Sequence, residues 1–170
     1  DNNVTAIFED SFHFMWIGTR NGLNQYDGTN FKIFEPIKGD STSLGHSFIN
    51  CIVEDENRDL WIATEGGGLC HYKRSLGIFN THTADQTNKK SITSGYINHL
   101  AIDSKGKIWI ATAKGIDIFD PIKQEVVNKI LVDEAIDYIY FDEKGNTWAG
   151  GTHLFKSTNG RSFTIVDLLN

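Results

Sequence analysis

Four carboxylates recur at comparable places along the chain, Asp10, Asp55, Asp103 and Asp142. Acids in a regular pattern could supply the proton donor and acceptor of a hydrolase. Each one, however, opens a turn between two apolar runs, where an Asp side chain bonds the local backbone amides. Their neighbours do not complete a pair. Glu9-Asp10 and Glu54-Asp55 are adjacent in sequence, and adjacent residues of an extended chain point to opposite sides. The six histidines (His13, His46, His71, His82, His99 and His153) show no metal-ligand spacing. Glu65-Gly66-Gly67-Gly68 is rich in glycine but lacks the Lys-Ser/Thr ending of a phosphate loop, and no helix follows it. No Gly-x-Ser-x-Gly elbow occurs. These residues point away from catalysis, and no metal or cofactor is expected.

The tryptophans are a second candidate, because indole faces suit sugar rings. All four occupy one place in a repeat: Trp16, Trp61, Trp109 and Trp148, spaced by 45, 48 and 39 residues. Met15-Trp16-Ile17-Gly18-Thr19 leads to Gly22-Leu23, Leu60-Trp61-Ile62-Ala63-Thr64 to Gly68-Leu69, and Ile108-Trp109-Ile110-Ala111-Thr112 to Gly115-Ile116. Thr147-Trp148-Ala149-Gly150-Gly151, leading to Leu154, is a degenerate copy. Recurrence at one strand centre marks the indoles as repeated core. A period of about 40–50 residues built of short strands is the mark of propeller blades.

Four strands, A to D, are expected in each repeat, giving blades at 4–34, 48–81, 96–130 and 136–166. Asp27-Gly28 is a strong hairpin signal between the first C and D strands. Uncharged runs such as Ile108-Trp109-Ile110-Ala111 suit a sheet covered on both faces. Gly18, Ala63, Ala111 and Gly150 lie two residues after each Trp, on the indole's own face, and are expected to make room for a neighbour's bulk. The fold class is therefore all-β: a propeller-type array of four four-stranded antiparallel blades, within one domain over 1–170. The first and last blades would each present an open apolar face, unless four blades close a small ring or two chains stack.

Composition bounds the rest. A net charge of −6 with scattered Lys and Arg argues against nucleic acid as a partner. No apolar run nears the roughly 18 residues that span a bilayer. The two cysteines, Cys51 and Cys70, fall on strands separated by a third. Strands two apart lie nearly 10 Å from each other, beyond a disulfide's reach, so two free, mostly buried thiols are expected. Asn3-Val4-Thr5 matches a glycosylation acceptor, a motif too weak to use.

The pattern resembles the two-component regulator propeller repeat. It runs Ile7, Asp10, Trp16-Ile17-Gly18-Thr19, Gly22-Leu23 and Tyr26-Asp27, and recurs through Ile52, Asp55 and Trp61 and through Leu100, Asp103 and Trp109. The fourth copy departs, with Ala149 for Ile, Gly151 for Thr and no Gly before Leu154. Four blades are fewer than that family's ring, so the resemblance implies a fragment of a larger propeller, a piece of the periplasmic sensor region of a hybrid two-component system. It also implies oligosaccharide ligands, neighbouring blades, a homodimer in the whole sensor, and a histidine kinase outside this chain. Propellers commonly bind at the face formed by the B–C and D–A loops. Here that face would carry Arg20, Asn21, His46, Glu65, Tyr96, Lys114 and His153. An interaction scaffold without a small-molecule ligand is the alternative, and a propeller lyase or hydrolase a more distant one.

Overall fold

The structure, a computed structural model, describes residues 3–167. Sixteen strands form four antiparallel sheets. The first blade holds β1 (Val4–Glu9), β2 (Met15–Thr19), β3 (Gly22–Tyr26) and β4 (Phe31–Phe34). The second holds β5 (Ile49–Glu54), β6 (Leu60–Thr64), β7 (Leu69–Lys73) and β8 (Ile78–His82). The third holds β9 (Ile97–Ile102), β10 (Ile108–Thr112), β11 (Gly115–Asp120) and β12 (Glu125–Ile130). The fourth holds β13 (Ile136–Phe141), β14 (Thr147–Gly151), β15 (Leu154–Ser157) and β16 (Thr164–Val166). Each sheet runs in chain order, because every connection within a blade is a short turn and antiparallel neighbours need nothing longer. The observed ends differ from the expected ones by one residue at most.

Strand pairing sorts each blade into two faces. One row crosses the second blade through Ile52, Ile62, Cys70 and Thr81, and another through Val53, Trp61, His71 and Asn80. The Ile62 row faces the preceding blade: Ile52, Ile62 and Cys70 share a core with Trp16. The Trp61 row faces the following blade, in a core with Leu100, Ile110 and Phe119. Trp109 repeats this against Ile139, Ala149 and Phe155. Every interior interface thus joins the Trp face of one blade to the Ile face of the next.

Gly18 shows why a small residue belongs two after the Trp. A Cβ there would stand 2.6 Å from the Ile49 side chain of the next blade. At Gly150 a Cβ would meet nothing within 4 Å, since no described blade lies against the Trp face of the fourth. The inner strands pack in the order β1, β5, β9, β13, with no comparable packing of β13 on β1 among the described residues. Four blades therefore form an arc with two uncovered faces, and do not close into a small ring. One open face carries Ile7, 67% exposed, and Ile33, 62% exposed. The other carries Tyr138 and Tyr140, 55% and 54% exposed, beside Trp148. Trp148 is half-buried, because no described blade covers it as the next blade covers the other three indoles.

Both thiols are free. Cys70 is buried, whereas Cys51 is only half-buried, and burial pushes both pKa values up.

Candidate functional site

The recurrent Asp is tied to the recurrent Trp. Asp10 Oδ2 accepts from Trp16 Nε1 at 2.7 Å, and the same bond joins Asp55 to Trp61 (2.8 Å), Asp103 to Trp109 (3.0 Å) and Asp142 to Trp148 (2.9 Å). The other oxygen, Oδ1, accepts the amides two and four residues on, as from Phe12 and Phe14 to Asp10. The third residue after each Asp has positive φ: His13 (65°), Arg58 (65°), Gly106 (71°) and Gly145 (80°). The carboxylate thus closes the A–B turn and satisfies a buried indole N–H, which would be costly to leave bare. For Asp10, burial works to raise the pKa, but the bonds from Trp16, Phe14 and Phe12 and the charge of Arg74 prevail and hold it low. Asp142 is held down at about 2, chiefly by its bonds from Trp148 and Asn146.

A second inter-blade device lies on the inner strands. Thr5 Oγ1 donates to the Ile49 carbonyl, Asn50 Nδ2 to the Ile97 carbonyl (2.8 Å) and Asn98 Nδ2 to the Ile136 carbonyl (2.8 Å). These occupy the second residue of the strand or its equivalent in each blade, so one hydrogen-bonded seam runs across all three interfaces. The sequence offered no sign of it, because Thr and Asn on a strand read as ordinary polar residues until the neighbouring blade is in place.

The expected ligand-face residues all lie at the B–C turn and D–A connection end of the blades. In the first B–C turn, Thr19 Oγ1 accepts the Asn21 amide at 3.0 Å, and Arg20 lies over the Phe48 ring, 5.3 Å from its centre. His46 Nδ1 accepts the Phe48 amide at 3.1 Å. Arg20, Asn21 and His46 therefore stand together where the first blade meets the second. Glu65 Oε2 accepts from Asn50 Nδ2 at 2.6 Å, its backbone bridges to that of Tyr96, and the Tyr96 ring is 59% exposed beside Gly66. Glu65 and Tyr96 form a second station. Lys114 borders a cleft of about 430 Å³ with Lys89 and Lys129. His153 stands on the fourth blade against Phe155, 5.9 Å between ring centres. The seven residues share one end of the arc, and the first two stations adjoin, the Glu65 amide donating to the Phe48 carbonyl at 3.0 Å.

The glycine-rich turn has a structural reason. Gly68 has φ +94°, and a Cβ there would lie 2.2 Å from the His82 carbonyl oxygen. The amides of Gly66 and Gly68 both donate to the Gly95 carbonyl, at 3.0 and 2.9 Å. These donors are already used within the protein. Of three further histidines, His71 is buried and His82 and His99 are half-buried. His71 stacks on Trp61 at 3.9 Å and bonds Asp59 at 3.1 Å; His82 lies against Phe119; His99 lies against Tyr138. Desolvation lowers the pKa of each, that of His99 to about 4.

Antiparallel four-stranded sheets, each pinned by an Asp–Trp bond and packed face to face, define a repeat protein of the β-propeller class. The family model described as two-component regulator propeller matches residues 1–21, 43–66 and 91–114, one copy in each of the first three blades. The chain carries two-component regulator propeller repeats. A curated relative from Formosa agariphila, named Histidine kinase P4, is 34% identical over 172 residues, covering 91% of this chain and 12% of its own length. A solved extracellular domain from B. thetaiotaomicron, assigned to a hybrid two-component system, superposes with a TM-score of 0.87 at 23% identity, over 99% of this chain and 25% of that one. A second such domain gives 0.79 at 26% identity, over 97% and 25%. Virginiamycin B lyase from Staphylococcus aureus shares the fold, with a TM-score of 0.75 at 14% identity over 98% of this chain and 56% of that one.

Proposed function

We propose that this chain is part of the extracytoplasmic ligand-sensing region of a hybrid two-component signalling protein, placed in the periplasm, and that it responds to oligosaccharides. The observation that carries the reading is the three-fold match to the regulator propeller repeat, supported by the likeness to extracellular domains of such systems. The ligand would meet the B–C and D–A loop end, at Arg20, Asn21 and His46 and at Glu65 and Tyr96. Exposed Tyr96 offers a ring face, and Arg20 a charged group, for a sugar's apolar and hydroxyl sides. The ligand is bound and released unchanged. Its occupancy biases packing between blades, or between two copies of the whole sensor, and a kinase elsewhere in that protein reads the change.

A panel of oligosaccharides tests this by thermal melting, because a ligand of the folded state must raise the midpoint. The reading expects one class of glycan to stabilise the chain, and Arg20→Ala or Tyr96→Ala to remove the effect. Stabilisation that survives both substitutions would move the site elsewhere. The two open faces favour a second reading, a scaffold that serves contacts between blades or copies and binds no small molecule; an inert panel would support it.

A further inference from the structure

The connections that leave the first and second blades are built alike. Ser43 Oγ accepts the Ile37 amide at 2.9 Å, and Ser91 Oγ accepts the Asp85 amide at 3.0 Å. Each connection is then pinned to the D strand of the blade it enters. The Phe79 amide donates to the Thr42 carbonyl at 2.9 Å, and the Val126 amide to the Lys90 carbonyl at 2.8 Å. A cleft lies beside each connection, of about 240 Å³ at the first and about 420 Å³ at the second. Their walls come from matching positions with different chemistry. Phe34, paired with Leu23, lines the first, and His82, paired with Leu69, lines the second. Ile37 gives way to Asp85, Ile78 to Glu125 and Gly77 to Gln124.

Two of these replacements are unfavourable in themselves. Phe34 packs against Trp16, Tyr72 and Phe79, with ring centres 5.6, 5.5 and 5.5 Å away. His82 takes that place 4.8 Å from Phe119 and 6.0 Å from Trp61. Its Nε2 is buried and has no hydrogen-bond partner among the described residues. Desolvation, above all, lowers the pKa of this ring, so it is neutral at pH 7. The Gln124 side chain bonds the ring, while its own Nε2 donates to the Pro121 carbonyl. The amide oxygen therefore accepts the Nδ1 proton of His82, and His82 Nε2 carries a bare lone pair. A buried acceptor of this kind calls for a donor. Gln124 also holds φ at 57°, in the turn position where the second blade has Gly77 at 68°, a conformation that a side chain adopts at a cost. Both costs fall on one cleft.

The charges around the cleft are engaged. Lys90 pairs with Glu125 at 2.8 Å, and Asp85 Oδ1 accepts the amide and hydroxyl of Thr87 at 2.8 and 2.7 Å. Asp85 leaves one unbalanced negative charge on the rim, which disfavours an anion. We propose that this cleft between the second and third blades is a sugar subsite, in which a hydroxyl of a neutral sugar donates to His82 Nε2. Phe119 and Ile92 lie under the sugar's apolar side, and Thr83 and Asn88 line the cleft for further hydroxyls. The exposed Gln124 side chain, bonded to the same ring, moves aside to admit it. The choice of a sugar among hydroxyl compounds rests on the sensing role proposed above. The place does not, since none of Arg20, Asn21, His46, Glu65 and Tyr96 lines this cleft.

The test is NMR on the whole nitrogen-labelled chain, titrated with the methyl glycosides of glucose, galactose, mannose and xylose, and with glucuronate, glucosamine and glycerol. At least one neutral glycoside should move the unprotonated ring nitrogen of His82 and the amides of Asp85 and Gln124 at millimolar concentration, and leave the rings of His13 and His99 in place. Glucuronate should bind more weakly, and Asp85→Asn should narrow that difference. His82→Phe, which installs the residue of the first interface, should abolish the amide shifts while melting no earlier than the parent. Tyr96→Ala should leave them unchanged. Shifts lost in Tyr96→Ala but kept in His82→Phe would uphold the loop-face reading and overturn this one; the reverse would uphold this subsite without the loop face. The proposal also fails if no glycoside moves the His82 signal, if glucuronate or glucosamine binds as well as the neutral sugar, or if glycerol at the same concentration reproduces the shift.

Discussion

Ile62 and Ile17 hold the same place in successive blades, and only Ile62 is sealed. Ile62 is fully buried because the first blade lies against it; Ile17 is half-buried because no described blade lies against it. Trp61 and Trp148 show the same contrast at the other end of the arc. The repeat therefore encodes half of each interface, and the neighbouring blade supplies the rest. Stability should fall off from the two inner blades toward the outer faces, as nearest-neighbour coupling requires.

The largest effects are expected at the closest approaches. Gly18→Val would drive branched carbons into the Ile49 side chain, and overpacking of this kind costs about 1–3 kcal/mol or more. Gly150→Ala should stay within about 0.5 kcal/mol. Equal losses in urea melts would dissolve the contrast between inner and outer faces. Ile62→Ala should cost about 2–5 kcal/mol as a core truncation, and Ile17→Ala clearly less.

Next comes the Asp–Trp bond. Asp55→Ala leaves the N–H of fully buried Trp61 bare and should cost about 1–3 kcal/mol. Asp142→Ala exposes a half-buried indole to water and should cost less. Comparable losses from the two would mean that turn closure, rather than indole satisfaction, is the carboxylate's main contribution.

A smaller and sharper test is acid. His99 has its pKa lowered from 6.5 to about 4 by desolvation, and burial also lowers those of His71 and His82. The unfolded chain then binds protons that the folded chain refuses. Stability should be intact above pH 6.5 and decline from there toward pH 4, before the low-lying Asp142 begins to protonate. His99→Phe should flatten part of that decline; an unchanged slope would assign it to His71 and His82, which stack around Trp61. The smallest effect is expected at His13, which sits at φ 65° where the third and fourth blades use glycine. His13→Gly should change the melting free energy by no more than about 1 kcal/mol, with stabilisation favoured.

The blades were legible in the sequence because their cues are local. The Trp spacing, the glycines of the first three B–C turns and Asp27-Gly28 act within a few residues, so strand order and ends followed from them. The Asp–Trp bond was half legible: the Asp was read as a turn former and the Trp as core, but not as partners six residues apart. What the sequence hid depends on the neighbouring blade. The seam from Thr5, Asn50 and Asn98 binds carbonyls some forty residues away. The uneven burial of Trp148 has the same origin.

The open faces are tested most directly by light scattering on this chain across a concentration series. An uncovered Ile face and an uncovered Trp face are the two halves of every interior interface, and apolar patches of this kind seek cover. The mass should rise above that of one chain as concentration increases, and Ile7→Lys or Tyr140→Lys should return it to the monomer. A single chain's mass at every concentration, unchanged by either substitution, would contradict the claim that these faces are unfilled halves of a blade interface.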